Sequence, residues 1–415
     1  MRTLNIGIIG CGTAGLAATI FLGRQGHNLT LFEKFSSPLP LGAGLLLQPT
    51  GLEVLRRLNL LEDALRLGAR IDHLYGKTSD GRPIFDIRYS ELSPHIHGLG
   101  IQRGTLFSLL YSEVKRQNYP LYGDTAIQRV DQDSFGAWAI THENQRHGPF
   151  DLIIDASGLR SLIRETQALN SRHTPYPWGA VWGLCDDPDS QFTEALRQVY
   201  QGPQIMIGAL PVGRSSIEEG QDTLPKVAFF WSMKADLLST FIKDDLSNWK
   251  SHVIRLWPDI QPLVSQFGKT AQLFPVTYGD VRMKSWNQGR LIFIGDSAHA
   301  TSPQLGQGAN LALLDAAILS DCLAFAKDID AALMNYHHHR RHHLCFYQMA
   351  SRWLTPFFQS DLSWLGKIRD WSFTPMGRIP FMRRQMLQTL AGLKTGSITW
   401  ETAENLAYHL KLEKD

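Results

Sequence analysis

The stretch IGIIGCGTAG, residues 6–15, sets three glycines in a turn between two apolar segments. Leu4 to Ile9 is an apolar run of strand length, and Ala14 to Arg24 carries apolar residues at helical spacing. A buried strand that turns on glycines into a helix is the opening of a nucleotide-binding βαβ unit. In such a unit Gly10 permits the tight turn, Gly12 lets the backbone approach a pyrophosphate, and Gly15 lets the helix pack against the sheet. Thr13 and Ala14 begin the helix, where free N–H groups and the helix dipole favour phosphate. The next strand, HNLTLFEK (27–34), ends in Glu33 and Lys34. Glu33 stands about 20 residues past the glycines, the place of an acid that binds a ribose hydroxyl pair. The expected ligand is an adenine dinucleotide.

Downstream, SSPLPLGAGLLLQPTGLEVLRRLNLLEDA (36–64) reads as a loop leading into a helix capped by Thr50, with Leu52, Leu55 and Leu58 on one face. RGTLFSLLYSEVKRQ (103–117) reads as an amphipathic helix. A cation at its start, Arg103, opposes the helix dipole, and an anionic neighbour would explain it. Residues 125–154 alternate as a meander turning at DQDS and ENQRHG, and FDLIIDASG (150–158) is apolar on both faces, as a strand buried in a sheet is. From 176 to 286 the chain changes to short aromatic strands such as YPWGAVWGL and VAFFWSM, with a polar loop GRSSIEEGQDT (213–223) and a helical stretch near 235–268. The division expected is a nucleotide domain at 1–175 and 287–328, an inserted, mostly antiparallel sheet domain at 176–286, and a helical cap at 329–415. The cap is punctuated by FTPMGRIPF (373–381) before a last pair of helices.

The segment GRLIFIGDSAHATSPQLGQGANLALLDAAILSDCL (289–323) is the most informative. A strand, Leu291 to Ile294, ends in Gly295-Asp296, and a turn with Pro303 reaches Gly306-Gln307-Gly308 before a long helix. Asp296 arrives at the carboxyl end of a strand, where open α/β sheets bind ligands, in position for a sugar-alcohol chain. The helix after the turn offers its first N–H groups to a flavin pyrimidine ring, whose reduced form is anionic.

With these elements in order, over roughly residues 4–350, the sequence resembles the FAD-dependent aromatic hydroxylases, flavoprotein monooxygenases related to p-hydroxybenzoate hydroxylase. The resemblance implies an α/β fold: a glutathione-reductase-like Rossmann FAD-binding domain with an inserted antiparallel β-sheet substrate domain and a helical C-terminal region. It implies that Glu33 binds the adenosine ribose, Arg103 lies on the cofactor, Asp296 binds the ribityl chain, and Pro303 to Gly308 line the isoalloxazine. Gln48, in GAGLLLQP (42–49), falls beside the flavin ring. The cofactor-binding set expected is Gly10, Gly12, Thr13, Ala14, Gly15, Glu33, Lys34, Gln48, Arg103, Asp296, Pro303, Gly306, Gly308 and Asn310. The family's middle motif survives in DASGLRSLIR (155–164) with one departure: Ser157 replaces the aspartate before Gly158. That aspartate is associated with FAD and nicotinamide-nucleotide contact, so the departure weakens the expectation of direct reduction, unless the Ser157 hydroxyl supplies the same hydrogen bond.

The implied reaction is hydroxylation of an aromatic or heteroaromatic small molecule through a flavin C4a-hydroperoxide, with NADPH or NADH as reductant and O2 as co-substrate. No residue presents itself as the catalytic base. Alternatives are a halogenase or reductase of the same fold, or a flavin-binding protein without turnover. No W-x-W-x-I-P stretch supports a halogenase; the nearest piece is WGAVWGL.

Composition narrows the field. In 415 residues, 41 basic and 39 acidic side chains leave a net charge of +2, which gives no nucleic-acid footprint. Cys11, Cys185, Cys322 and Cys345 show neither metal nor disulfide spacing. No signal peptide and no transmembrane run is read, so a cytoplasmic monomer or homodimer is expected. In YHHHRRHH (336–343), His339 and His343 are four apart, but no ligand set completes a metal site; a solvated or partly nucleotide-facing helix is expected. His299 reads as a structural, hydrogen-bonded group in preference to a base. Trp178, Trp182, Phe229, Phe230 and Trp231 read mainly as core, with one or two also walling a pocket. WLTPFF (353–358) and DLSWLGKIRDWSF (361–373) are expected to pack over the second domain or a partner subunit rather than on a membrane.

Overall fold

Apolar side chains at inward and outward positions alike make residues 5–9 a strand covered on both faces, and the chain builds its first layer around it. The computed structural model describes residues 2–38, 42–167, 170–214, 224–241, 246–268 and 272–408. The strands of the first half are β1 (Asn5–Ile9), β2 (Asn28–Phe32), β3 (Gly44–Leu47), β4 (Ala69–Thr78), β5 (Pro83–Arg88), β6 (Gly98–Gln102), β7 (Leu121–Tyr122), β8 (Ile127–Gln132), β9 (Ala137–Thr141), β10 (Arg146–Phe150) and β11 (Leu152–Asp155). Those of the second half are β12 (Ser171–Asp186), β13 (Glu194–Gln201), β14 (Ile205–Pro211), β15 (Lys226–Lys234), β16 (Phe274–Met283), β17 (Asn287–Gln288) and β18 (Leu291–Phe293). The helices are α1 (Thr13–Arg24), α2 (Pro49–Arg57), α3 (Leu61–Leu67), α4 (Arg103–Gln117), α5 (Leu162–Thr166), α6 (Leu238–Phe241), α7 (Leu246–Leu256) and α8 (Gln261–Val264). After β18 come α9 (Asp296–His299), α10 (Gly308–Phe325), α11 (Ile329–Phe358), α12 (Ser363–Arg378), α13 (Pro380–Leu390) and α14 (Ala403–Ala407).

The first sheet runs in the order β17-β18-β11-β1-β2-β7, parallel from β18 to β7. Helix α1 packs between α10 and α4, and the β8–β10 meander packs against β1 and β11. The meander turns at 133–136 and 142–145, as the sequence led us to expect.

The second sheet has the order β16-β12-β15-β14-β13-β4-β6-β3, with β5 against β4. It is mostly antiparallel, β13 against β4 being the parallel exception. Its membership differs from the division at 176–286: β3 to β6 come from the first 102 residues, and β12 begins at Ser171. The reason lies in GAGLLLQP, which reads as loop because of its glycines. Leu45 to Leu47 extend as an edge strand on β6, and Gly44 is required because a Cβ there would stand 2.6 Å from the side chains of Ala228 and Val212. One face of this sheet closes a core of Val181, Phe229 and Trp231 with Trp257 and Phe267.

Two other expectations change. Thr50 does not cap α2; Gln48 is the N-cap, Pro49 takes the first helical position and Thr50 lies inside the first turn. Helix α12 continues through Pro375 to Arg378, so FTPMGRIPF breaks the chain only at Ile379-Pro380. Most of GRSSIEEGQDT, residues 215–223, lies outside the described residues. Helix α10 is the one described helix long and apolar enough to span a bilayer, but it is 78% buried, packed among α1, α2 and α11.

Candidate flavin site

Two helix N-termini with bare glycines meet above the carboxyl ends of β1, β11 and β18. At the first, Gly10 has φ +94° and a Cβ there would lie 2.6 Å from the Ala156 carbonyl oxygen. A Cβ on Gly15 would overlap the carbonyl oxygen of Gly10, so this glycine sets the helix on the turn. Gly12 differs: it is exposed, and a Cβ there would meet nothing within 4 Å. Its missing side chain therefore leaves space outside the protein, in front of the first N–H groups of α1, where Thr13 and Ala14 stand. Glu33 is buried at the end of β2, accepting the Cys11 N–H at 3.0 Å and the Phe35 N–H at 3.2 Å. Burial and the Glu33 charge push the Cys11 thiol up to about 12, which leaves it unreactive. Lys34 is exposed and lies 5.0 Å from the ring of Phe35.

At the second, Gly295 (φ +63°) ends the strand and Asp296 opens α9, exposed. A Cβ on Gly308 would stand 3.9 Å from the Asp296 carboxylate. Pro303 to Leu305 form one 3-10 turn, Gly306 takes φ +61° with open space in front of it, and α10 starts at Gly308. Asn310 is fully buried; its side chain donates to Leu46 O at 3.3 Å and Gly306 O at 3.0 Å and accepts the Gln48 N–H at 2.8 Å. That side chain is engaged with the protein on all three of these bonds. It rivets the 306 turn to the edge of the second sheet. Gln48 is buried behind it and accepts from the Tyr89 hydroxyl at 2.5 Å. Ser302 and Gln304 of the turn are held by Thr355 at 2.5 Å and Gln359 at 2.9 Å, and Gln307 by Leu390 O at 2.8 Å.

Arg103 is exposed at the start of α4, its stem against Gly42 and its charge acting on Tyr278. Tyr278 escapes a reading of the sequence. Between the register pairs Pro175–Gly279 and Gly179–Thr277, residues 176–178 of β12 stand against Tyr278 alone, and such a bulge re-aims a side chain. The Tyr278 hydroxyl accepts from Trp182 Nε1 at 3.1 Å, and Trp182 packs on Phe230 with ring centroids 4.7 Å apart. Phe229 and Trp231 enter the core on the opposite face, so the aromatic cluster divides, as alternation along a strand requires. Burial pushes the Tyr278 hydroxyl up to about 12, against the opposing pull of Trp182 and Arg103.

In the middle motif, Asp155 is fully buried at the end of β11. It accepts from the Ser157 N–H at 2.8 Å, the Ser157 hydroxyl at 2.6 Å and the Ser161 hydroxyl. Burial raises its pKa, and these hydrogen bonds and the Arg164 charge work against that rise. Ser157 thus turns inward to a carboxylate two residues earlier. Arg164, also buried, donates to Ser297 O at 2.7 Å, tying the motif to α9.

His299 is structural, held by a network no motif announced. Asp315, buried in α10, accepts from the Gly295 N–H at 2.7 Å and Arg340 Nε at 2.8 Å, with His299 Nε2 at 2.5 Å. Burial would raise the Asp315 carboxyl, but His299 and Arg340 hold it well below the usual carboxylate range. Arg340 donates to His343 Nδ1 at 2.9 Å, which leaves His343 Nε2 to donate to Gly392 O at 2.9 Å. The expectation of a solvated histidine helix therefore fails for Arg340 and His343, which face the core because Asp315 needs a buried counter-charge. Among the described residues no cluster of His, Cys, Asp and Glu fits a metal.

The donor set suits a flavin dinucleotide: open glycines before two helix N-termini for phosphate and ring, and exposed Asp296 between them for a polyol. The chain belongs to the FAD binding domain family, whose model matches residues 3–345. It is a flavoenzyme of the FAD-dependent monooxygenase class. Aurachin C monooxygenase/isomerase from Stigmatella aurantiaca is 27% identical over 352 residues, 81% of this chain and 85% of that protein. The 6-hydroxynicotinate 3-monooxygenase of Pseudomonas fluorescens is 25% identical over 338 residues, 77% of this chain and 82% of that one. Among solved structures, Klebsiella pneumoniae HpxO with FAD and uric acid has a TM-score of 0.76 at 17% identity, covering 94% of this chain and 97% of that one. The tetrameric form of 2-methyl-3-hydroxypyridine-5-carboxylic acid oxygenase has a TM-score of 0.74 at 19% identity, with 94% and 97% covered. At such identities the structures share the mixed α/β fold.

Proposed function

We propose that the protein hydroxylates an aromatic or heteroaromatic small molecule held between the 303–308 turn and the Trp182–Tyr278 face of the second sheet. The observation that carries this reading is the bulge at Tyr278, which brings a phenol under the charge of Arg103, on a sheet whose other edge strand, β3, is riveted to the turn by Asn310. The nucleotide unit would draw on 1–175 and 287–328, the substrate wall on 176–286 with β3 to β6, and 329–415 would cap the turn. Glu33 would hold the adenosine ribose, the Gly12 turn the diphosphate, Asp296 the ribityl chain, and the N–H groups from Gly308 the flavin ring. Bound FAD would supply the redox chemistry, taking electrons from NAD(P)H and activating O2 so that one oxygen atom enters the ring.

The chain's own groups do the rest. Tyr278 stays protonated at neutral pH, and since its oxygen already accepts from Trp182 its O–H is left to donate to a ring oxygen or nitrogen. Trp182 and Phe230 give an apolar wall that orients a flat ring and excludes water. Tyr278→Phe should keep FAD and raise KM about tenfold, the loss of one hydrogen bond of about 1.4 kcal/mol. The test is NAD(P)H-driven oxygen uptake against a panel of hydroxylated pyridines, quinolines and benzoates, with product analysis. No substrate-stimulated uptake, or a chloride-dependent halogenated product, would overturn the proposal.

A further inference from the structure

A soluble helix that packs by one face is polar on the other; α12 is not. At about 100° per residue, Trp364, Ile368, Trp371 and Pro375 fall in one narrow arc. All four are exposed, Trp364 at 55% and Trp371 at 81%. The opposite arc makes the fold: Gly366 packs on Pro203, and the buried guanidinium of Arg369 lies 4.7 Å from the Tyr200 ring and 5.2 Å from that of Phe358. The neighbouring elements extend the apolar surface, with Trp353 exposed in the last turns of α11 and Phe381 at the start of α13. The helix therefore covers the second sheet, as its sequence led us to expect, while carrying an outer face that the fold does not use.

We propose that this outer face rests on an anionic lipid surface, with α12 lying in the plane of the headgroups. Charge decides the occupant. The acids between 345 and 390 are Asp361 and Asp370, and each already holds a cation, Lys234 at 2.9 Å and Arg369 at 2.6 Å. Lys367 and Arg378 flank the Trp371 side of the stripe, exposed, and among the described residues neither has an ion pair. A second copy on a two-fold axis would bring the same cationic rim against itself, with no unpaired acid among the described residues of this face to meet it. A leaflet containing acidic lipid presents the opposite charge at the rim and an apolar layer beneath, and tryptophan is favoured at that boundary. Helix α10 is the core, so the contact is peripheral.

The FAD-loaded full-length protein is floated with vesicles of phosphatidylcholine, with and without about one third phosphatidylglycerol. It should rise with the acidic vesicles, less at high salt, and Trp364→Ser with Trp371→Ser should lower the bound fraction about tenfold while flavin content and thermal midpoint hold. Should those variants fold poorly, hydrogen exchange on the parent decides: slowed exchange confined to α12 and its flanks on adding acidic vesicles supports the contact. A parent that stays below the gradient with acidic vesicles overturns it. So does α12 protection without lipid in a self-associated species, which would make this face an interface between copies, and so do variants that float like the parent.

Discussion

Gly12 and Gly15 sit three residues apart and fail for different reasons when given a side chain. Because a Cβ on Gly12 meets nothing in the protein, Gly12→Val should fold with an unchanged thermal midpoint in the absence of flavin. The flavin absorbance of the purified variant should fall to about a tenth of the parent's or less, its side chain standing in the phosphate path. Gly15→Ala drives a methyl into the Gly10 carbonyl and should lose about 1–3 kcal/mol in urea unfolding of the flavin-free protein. Equal losses of stability in the two variants would remove the phosphate from this turn. Ser157 invites a different comparison. The motif alone suggests that Ser157→Asp restores a nicotinamide contact and speeds flavin reduction. In the structure that substitution sets a second carboxylate beside buried Asp155, so slower folding and a lower midpoint are expected instead. Ser157→Ala removes a donor to Asp155 and should cost about 1–3 kcal/mol, more at pH 8 than at pH 5, since the lost hydrogen bond favours the charged carboxylate. Stopped-flow reduction by NADH and NADPH, beside urea melts at the two pH values, reads both effects; a faster, equally stable Ser157→Asp protein would show that the hydroxyl stands in a nucleotide contact.

The turn from Pro303 into α10 is an element with its geometry fixed from outside. Gly306 holds φ +61°, which valine resists, while the space in front of it is open. Gly306→Val should therefore retain adenosine-half binding but shift the start of α10, lowering the flavin reduction potential and raising hydrogen peroxide per NAD(P)H consumed. Parent-like potential and coupling, read by dye-linked titration and peroxide assay, would move the active site elsewhere. This element also shows where sequence is legible. A backbone that must approach a cofactor demands glycine, and a strand end that carries a carboxylate is visible as GDS, so the halves of the site made by the backbone were readable at 10–15 and 295–308. What holds the turn, Thr355 in α11, Gln359 just past its end and Leu390 in α13, lies in segments with no motif. Tyr278 was hidden because its position depends on a sheet bulge between strands almost 100 residues apart, and β3 because glycines that mark loops also mark close packing. Asp315 did leave a signal: a carboxylate in the middle of NLALLDAAILS has to be paired, and the helix at 336–343 carries two arginines among its histidines.

At the scale of the whole molecule, that carboxylate couples α9, α10, α11 and the loop at Gly392, and it gives stability a pH slope of known sign. Burial and the Arg340 charge press His343 from 6.5 down to about 3. Between those values the unfolded chain binds a proton that the folded one refuses, so the contribution of His343 is complete above 6.5 and is lost as pH falls towards 3. Unfolding free energies from urea melts should fall in that window by up to about 1.4 kcal/mol per pH unit, and His343→Gln, which keeps an acceptor for Arg340 and a donor for Gly392, should flatten the slope. A slope unchanged by His343→Gln would place the titrating group elsewhere.

The threading of the second sheet bears on how such a chain emerges from the ribosome. Strand β4 lies parallel to β13, whose residues 194–200 follow it by more than a hundred positions, and the nucleotide sheet waits for β18 at 291–293 to flank β11. Neither layer closes until most of the polypeptide has been made, and the edge of β11 stands open meanwhile, a hazard that long-range pairing always carries. The two candidate glycine turns, at 10–15 and 306–308, are thus brought together only after about three hundred residues have been made, so flavin uptake by ribosome-bound chains should appear only in those arrested beyond α10.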